Sequence, residues 1–143
     1  MPSRRKSRII AMQMLYQIHQ TADPVQLVIK QFWLNREISV DVRPFTQQLV
    51  VGTTSNLDTI DAELQVTSKN WKIHRMPIVD LSILRLATYE ILFIDEIDAA
   101  ISINEAVEIA KSFSTTDSPK FINGVLDNIQ KRHLDSPQQN TNQ

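Results

Sequence analysis

Residues 77–94, with the sequence PIVDLSILRLATYEILFI, decide the fold of this chain. Apolar side chains recur there at helical spacing and face every direction around the helix axis. One side carries Val79, Leu86 and Phe93, a second carries Leu84 and Ile91, and a third carries Leu81 and Leu92. Because a helix that is apolar on all sides has to be covered by neighbours, the pattern predicts a central helix surrounded by other helices.

Helical spacing of apolar residues continues through most of the remaining sequence, and only two glycines interrupt it. Strand-like alternation is not found over any useful length, so we predict an all-α bundle. Further helices are predicted over residues 3–21, 24–35, 41–64 and 102–113, and from 118 onward. The predicted caps are Asp41 for the third of these helices, the capping box SINE at 102–105, and Ser118 for the last. A short turn between the third helix and the central helix is expected to bury Trp71.

A length of 143 residues fits one domain, and we assign residues 1–133 to it. The polar segment at 134–143 is expected to be a disordered tail. The sequence contains no cysteine, which excludes thiol chemistry and cysteine-ligated metals. It also contains no stretch that resembles a signal peptide or is apolar enough to span a bilayer, so we expect a cytoplasmic protein with no membrane partner.

The charge of the chain is unevenly distributed. Residues 1–22 contain four cations and no acid, whereas residues 23–143 contain eleven cations and sixteen acids. The four cations are Arg4, Arg5, Lys6 and Arg8. They crowd the start of the first helix, where the helix dipole is already positive, so a polyanionic partner is expected there. Arg85, inside the central helix, needs a carboxylate, and Glu105 is the predicted partner.

Motifs of enzyme active sites are missing from the sequence. The three histidines are far apart, none belongs to a metal-binding pair such as HExxH, and two isolated glycines cannot form a phosphate-binding loop. No serine lies in a nucleophile elbow. We therefore expect a protein that is not an enzyme and that uses no cofactor and no metal.

The first helix has two apolar faces. Ile10, Ala11, Met14, Leu15 and Ile18 gather on one side and are expected in the core. Ile9, Met12 and Tyr16 form a second strip, flanked by Arg5 and His19. Either a partner protein or another part of this chain covers that strip.

The start of the last helix combines an aromatic residue with a cation. Phe121 lies in the first turn beside Lys120, an arrangement that can stack a base and hold a phosphate. The alternative is that Phe121 is a core residue at the rim. Gly124, one turn later, allows a close approach by a ligand or another helix, or is an ordinary packing notch.

Three blocks together resemble the NusB family of bacterial transcription antitermination factors. They are RRKSRIIAMQMLYQ at 4–17, VDLSILRLATYEI at 79–91 and SINEAVEIAKSFSTTDSPKFINGVLDNI at 102–129, in the order and spacing of that family. The resemblance implies about seven helices in two small packed bundles and no enzymatic activity. It also implies pairing with NusE, a small-subunit ribosomal protein, and binding of boxA RNA on nascent transcripts, notably those of ribosomal RNA operons, within the antitermination complex of RNA polymerase.

The resemblance also assigns site residues. It implies RNA contacts for Arg4, Arg5, Lys6, Arg8, Asp117, Lys120 and Phe121. It implies NusE contacts for Tyr16 and Asp80, to which the helical wheel adds Ile9 and Met12. His74, Arg75 and Leu81 depart from the family pattern near the NusE side, and the sequence leaves the oligomeric state open.

Two alternatives belong to other functional classes. NusB-like modules also precede the methyltransferase domain of some RNA cytosine methyltransferases, but 143 residues leave too little room for an α/β cofactor-binding domain. The other alternative is a protein-interaction domain that has lost RNA binding, and the four cations at the helix start argue against it.

Overall fold

A computed structural model of the protein describes residues 3–68 and 71–134. These residues form seven α-helices and contain no strand, which confirms the predicted all-α class. The helices are α1 (Arg4–Thr21), α2 (Val25–Asn35), α3 (Arg43–Ser55), α4 (Leu57–Thr67), α5 (Ile78–Phe93), α6 (Ala99–Phe113) and α7 (Ser118–Leu134). The predicted tail lies outside the described residues except for Leu134, which ends α7.

The central helix predicted from residues 77–94 is α5. It contacts α1 and α3 on one side and α4, α6 and α7 on the other, so that the two groups of helices share it. Ile83 and Leu84 in its middle are almost completely buried. Phe93 differs from the prediction, because it lies at the exposed end of the helix and stacks on Tyr89 with ring centroids 5.6 Å apart.

The long helix predicted over residues 41–64 is interrupted. It is split at Asn56 into α3 and α4. The Asn56 side-chain amide donates to the Gly52 carbonyl at 2.8 Å, and the Thr54 hydroxyl donates to the Val50 carbonyl at 2.9 Å. Side chains that bond to the preceding turn compete with the helical backbone, and a run of them favours a helix end.

The start of α6 also differs from the prediction. The SINE sequence is not a capping box, because α6 begins at Ala99 and the Asp98 carboxylate accepts from the Ala100 N–H at 3.0 Å. Ser102 is buried inside the helix. Its side chain, like that of Glu105, points toward neighbouring helices instead of back to the helix start.

Two predicted side-chain environments are wrong. Trp71 is 52% exposed rather than buried. Arg85 pairs with Asp61 of α4, to which its Nε and Nη2 donate at 2.9 and 2.8 Å, and not with Glu105. The reason is directional, since Arg85 faces α4 whereas Glu105 faces α1.

Gly52 marks a close contact between α3 and α5. A Cβ atom at this position would lie 2.1 Å from the Tyr89 ring, which is itself buried and stacked on Phe93. We expect Gly52→Ala to lower the free energy of unfolding by about 1–3 kcal/mol, the usual cost of overpacking a core. Urea unfolding checks this value, and an unchanged midpoint would mean that the ring moves aside freely.

Candidate nucleic-acid interface

The start of α1 presents part of its positive charge to solvent. Ser3 caps the helix, with its hydroxyl oxygen accepting from the Lys6 N–H at 3.2 Å. Arg4 and Lys6 are exposed, and the Arg4 guanidinium lies 4.1 Å from the centre of the Phe45 ring. This cation–π contact orients Arg4 and leaves its outer face free for an anion.

Arg8 is not part of that exposed cluster. Its side chain is 4% exposed, and its Nε and Nη2 both donate to the Glu90 carboxylate at 2.8 Å. The Ser102 hydroxyl donates to the same carboxylate at 2.8 Å. The expectation that Arg8 holds a phosphate is therefore at odds with its placement, because its charge is neutralised in the interior between α1, α5 and α6.

Arg5 is exposed but already has a partner. Its Nε and Nη2 donate to the Glu105 carboxylate at 2.9 and 2.8 Å. The hydrogen bond from Arg5 lowers the pKa of Glu105 below its ordinary value. Glu105 stays ionised at neutral pH, so an anion that approaches Arg5 has to compete with this carboxylate.

The start of α7 brings the other predicted RNA residues together. Asp117 and Lys120 are exposed, and Phe121 is half-buried, packed on the core with one edge outward. Both interpretations of Phe121 thus have a basis in its placement. The Trp71 ring lies against Phe121 at a centroid distance of 5.8 Å and an angle of 65°.

Asp80 supports this turn from the inside. It is buried in the first turn of α5, and the hydroxyls of Ser114 and Ser118 donate to its two oxygens at 2.5 and 2.8 Å. This placement does not fit the expected contact with NusE, because both oxygens are engaged inside the chain. Asp80 instead fixes the connection between α6 and α7.

The second apolar strip of α1 is only partly exposed. Met12 is 3% exposed and belongs to the core, but it also lines the surface cleft beside Tyr16, so only a group that enters this cleft would contact it. Ile9 is half-buried, and Tyr16 is 37% exposed. Tyr16 lines a surface cleft together with Gln13, Arg36 and Phe113. The strip is thus covered by this chain at Met12 and open at Tyr16.

Comparison with known proteins decides the family. Residues 5–131 match the NusB family, which is nearly the whole chain. The chain belongs to the NusB family. The NusB match includes the basic start of α1 from Arg5 onward and the whole turn between α6 and α7.

Curated NusB relatives align over almost their full length. Transcription antitermination protein NusB of Geobacter sulfurreducens is 44% identical over 133 residues, which are 90% of this chain and 94% of that protein. The protein of the same name from Desulfatibacillum aliphaticivorans is 40% identical over 129 residues, 90% of each chain.

Solved NusB structures have the same fold. NusB of T. maritima superimposes with a TM-score of 0.84 at 32% identity and covers 93% of this chain and 94% of its own. A chain from a complex of the antitermination factors NusB and NusE with double-stranded RNA superimposes with a TM-score of 0.81, covering 90% of this chain and 96% of its own. Its identity is 22%, so it supports the fold alone.

Sequence reasoning about this NusB-family chain missed the buried pairing of Glu90 with Arg8, the pairing of Glu105 with Arg5, and the contact of Trp71 with Phe121. A tryptophan in a polar connection was a usable signal for Trp71. Among residues 3–68 and 71–134, no cluster of histidine and acidic side chains is suited to a metal ion. Over the same residues, no helix is long and apolar enough to cross a membrane.

Proposed function

We propose that this chain is a cytoplasmic transcription antitermination factor that binds boxA-type RNA together with NusE. It would act on nascent transcripts, especially those of ribosomal RNA operons, as a non-enzymatic part of the RNA polymerase antitermination complex. The observation that carries the proposal is the exposed basic start of α1, linked through α6 to a turn with an exposed cation and a half-buried aromatic ring, in a member of the NusB family.

The RNA side uses cations that the fold leaves accessible. Arg4 and Lys6 bind phosphates at the start of α1, and Lys120 does so at the start of α7. Phe121 offers its exposed edge to a base, and the exposed carboxylate of Asp117 accepts a hydrogen bond from an amino group of a base. Arg5 joins the phosphate contacts only when it leaves Glu105. Arg8 acts from inside, by holding α1 on α5 through Glu90.

The NusE side lies further along α1. Tyr16 and the cleft beside it are the proposed contact, and half-buried Ile9 lies two turns earlier on the same strip of α1. Lys6 and Tyr16 are ten residues apart, which is about 15 Å along a helix at a rise of 1.5 Å per residue. One rigid helix thus contacts both partners, and the binding of RNA and NusE is expected to be mutually dependent.

A titration of boxA-type RNA with and without NusE tests the proposal. RNA binding is expected in both conditions, and more tightly with NusE. The three free cations predict a slope of log affinity against log salt of about −2, since each phosphate contact contributes roughly −0.7. Glu105→Gln releases Arg5, so the slope should steepen to about −2.8 and binding at low salt should tighten.

Glu108→Gln is the matched control for Glu105→Gln. It removes the same charge from the same helix, but Glu108 forms its ion pair with Lys111 at 2.9 Å and acts on Arg5 only as a nearby charge, with no hydrogen bond to it. Its salt slope should equal that of the unaltered protein. Failure to bind RNA with and without NusE would refute the proposed function, and equal slopes for the two glutamine variants would refute the competition at Arg5.

A further inference from the structure

Trp71 and Phe121 divide the surface between the α4–α5 connection and α7 into two clefts. Both rings, and Asp117, line both clefts. The first cleft also contains Ser68, Lys120, Gly124 and Asn128. The second contains Arg75, Pro77 and Thr115. An exposed aromatic wall with a cation on each side is the combination that unpaired nucleotides need, because the ring stacks a base while the cation holds its phosphate.

No packing contact explains why position 124 is a glycine. It is the seventh residue of α7, and apart from its chain neighbours and the backbone of α7 itself, no described heavy atom lies within 4 Å of the position that a Cβ would occupy. A glycine inside a helix costs about 1 kcal/mol relative to alanine, so alanine would be the more stable choice here. The contact with another helix that a packing notch requires is missing, so the backbone at Gly124 is open to a ligand in the cleft.

Lys120 connects this cleft to the rest of the proposed RNA surface. It also lines the groove between α6 and α7, at whose other end lies Ala100. The next residue, Ile101, lines the hollow beside Arg4. Lys120 therefore joins the cleft beside Trp71 to the groove between α6 and α7, and a cation common to two adjoining grooves favours RNA over a protein as the occupant.

We propose that the cleft between Trp71 and Gly124 binds one unpaired RNA base. The base stacks on the Trp71 indole, its edge lies over the bare backbone of Gly124, and the Asn128 side-chain amide forms hydrogen bonds with that edge. Lys120 holds the adjoining phosphate, and Arg75 receives the next nucleotide on the other side of the aromatic wall. The inference rests on the proposed RNA-binding function and adds Trp71, Gly124 and Asn128 to it.

The first test uses Trp71 in the full chain with NusE and a fluorescein-labelled boxA-type single strand. Trp71→Leu should weaken binding about tenfold or more, the usual loss when a stacking aromatic is removed. Trp71→Phe, which keeps an aromatic ring, should retain most of the RNA affinity of the unaltered protein. The control is Trp33→Phe, the other tryptophan of the chain, which should bind RNA as the unaltered protein does. In Trp33→Phe the remaining fluorescence comes from Trp71, and RNA should quench it.

The second test uses Gly124→Ala, which separates binding from folding. Because the added methyl group meets open space in a helix, the melting temperature should rise while RNA affinity falls. A merely structural role would move both quantities in the same direction.

The outcomes distinguish this inference from the proposed function. Normal RNA affinity in Trp71→Leu and Gly124→Ala, together with Trp71 fluorescence that RNA does not quench, would refute RNA binding in this cleft. The proposed antitermination function would still stand. Unchanged RNA affinity with lost NusE affinity would make the cleft a protein site and would also overturn the inference. Failure of the unaltered protein to bind RNA would overturn both.

Discussion

Replacing Arg8 with alanine should lower the free energy of unfolding by about 3–5 kcal/mol, because it leaves the Glu90 charge buried without a partner. Glu90 is 1% exposed, and after the change only the Ser102 hydroxyl would still donate to it. Urea unfolding at neutral pH gives the value directly. RNA affinity of the folded fraction should change far less than stability does.

Two further variants show that the loss comes from the unpaired charge. The double variant Arg8→Met with Glu90→Leu removes both charges and should regain most of the stability, as apolar replacements of buried ion pairs do. Arg132→Ala breaks the exposed pair with Glu63 and should cost under about 1 kcal/mol. If Arg8→Ala costs no more than Arg132→Ala, the pair with Glu90 contributes little, and a role for Arg8 at the surface regains support.

The burial of Arg8 could have been predicted from the sequence. At about 100° per residue, Arg8 lies on the same side of α1 as Ala11, Met12 and Leu15, at spacings of three, four and seven residues. All three are buried. The predicted core face was too narrow, because α1 packs against α2, α3 and α5 and is covered over more than half of its circumference. The same error placed Met12 on the outside.

The ion-pair partners of the charged residues could not have been predicted from the sequence. Arg8 and Glu90 are 82 positions apart, and Arg5 and Glu105 are 100 apart. Helical periodicity gives the direction of a side chain around its own helix but not the rotation of the neighbouring helices. For this reason α5 could be predicted as the central helix, whereas the choice of Asp61 over Glu105 as the partner of Arg85 could not.

Helix boundaries show the same division between local and tertiary signals. Prolines mark the starts of α2 and α7, and both starts were predicted within one residue: Pro24 directly precedes α2, and Pro119 is the second residue of α7. The break at Asn56 depends on several weak side-chain bonds to the backbone that do not stand out in sequence. The start of α6 was misplaced because Ser102 and Glu105 fit a capping box, yet their side chains serve tertiary contacts with Glu90 and Arg5.

Replacing Asp80 with alanine should lower the free energy of unfolding by about 2–3 kcal/mol, since hydrogen bonds to a buried charged group are worth about that much. The hydroxyls of Ser114 and Ser118 would lose their common acceptor at the connection between α6 and α7. Lys120 and Phe121 follow directly in α7, so RNA affinity should fall, although Asp80 lines the second cleft at only 4% exposure and both of its oxygens are already engaged. NusE affinity should not change.

Asp117 provides the matched comparison for Asp80. It is an exposed aspartate on the same connection, so Asp117→Ala should alter stability by no more than about 0.5 kcal/mol. Its effect should be on RNA binding alone. Asp80→Asn, which keeps the shape and one acceptor oxygen, should lie between the two in stability. If Asp80→Ala instead leaves stability unchanged and weakens NusE binding, then Asp80 turns outward in the complex and does not support the connection between α6 and α7. The two aspartates therefore separate support of the proposed RNA-binding turn from direct contact with RNA. Of the two, Asp80 alone joins α5 to the connection that positions Lys120 and Phe121.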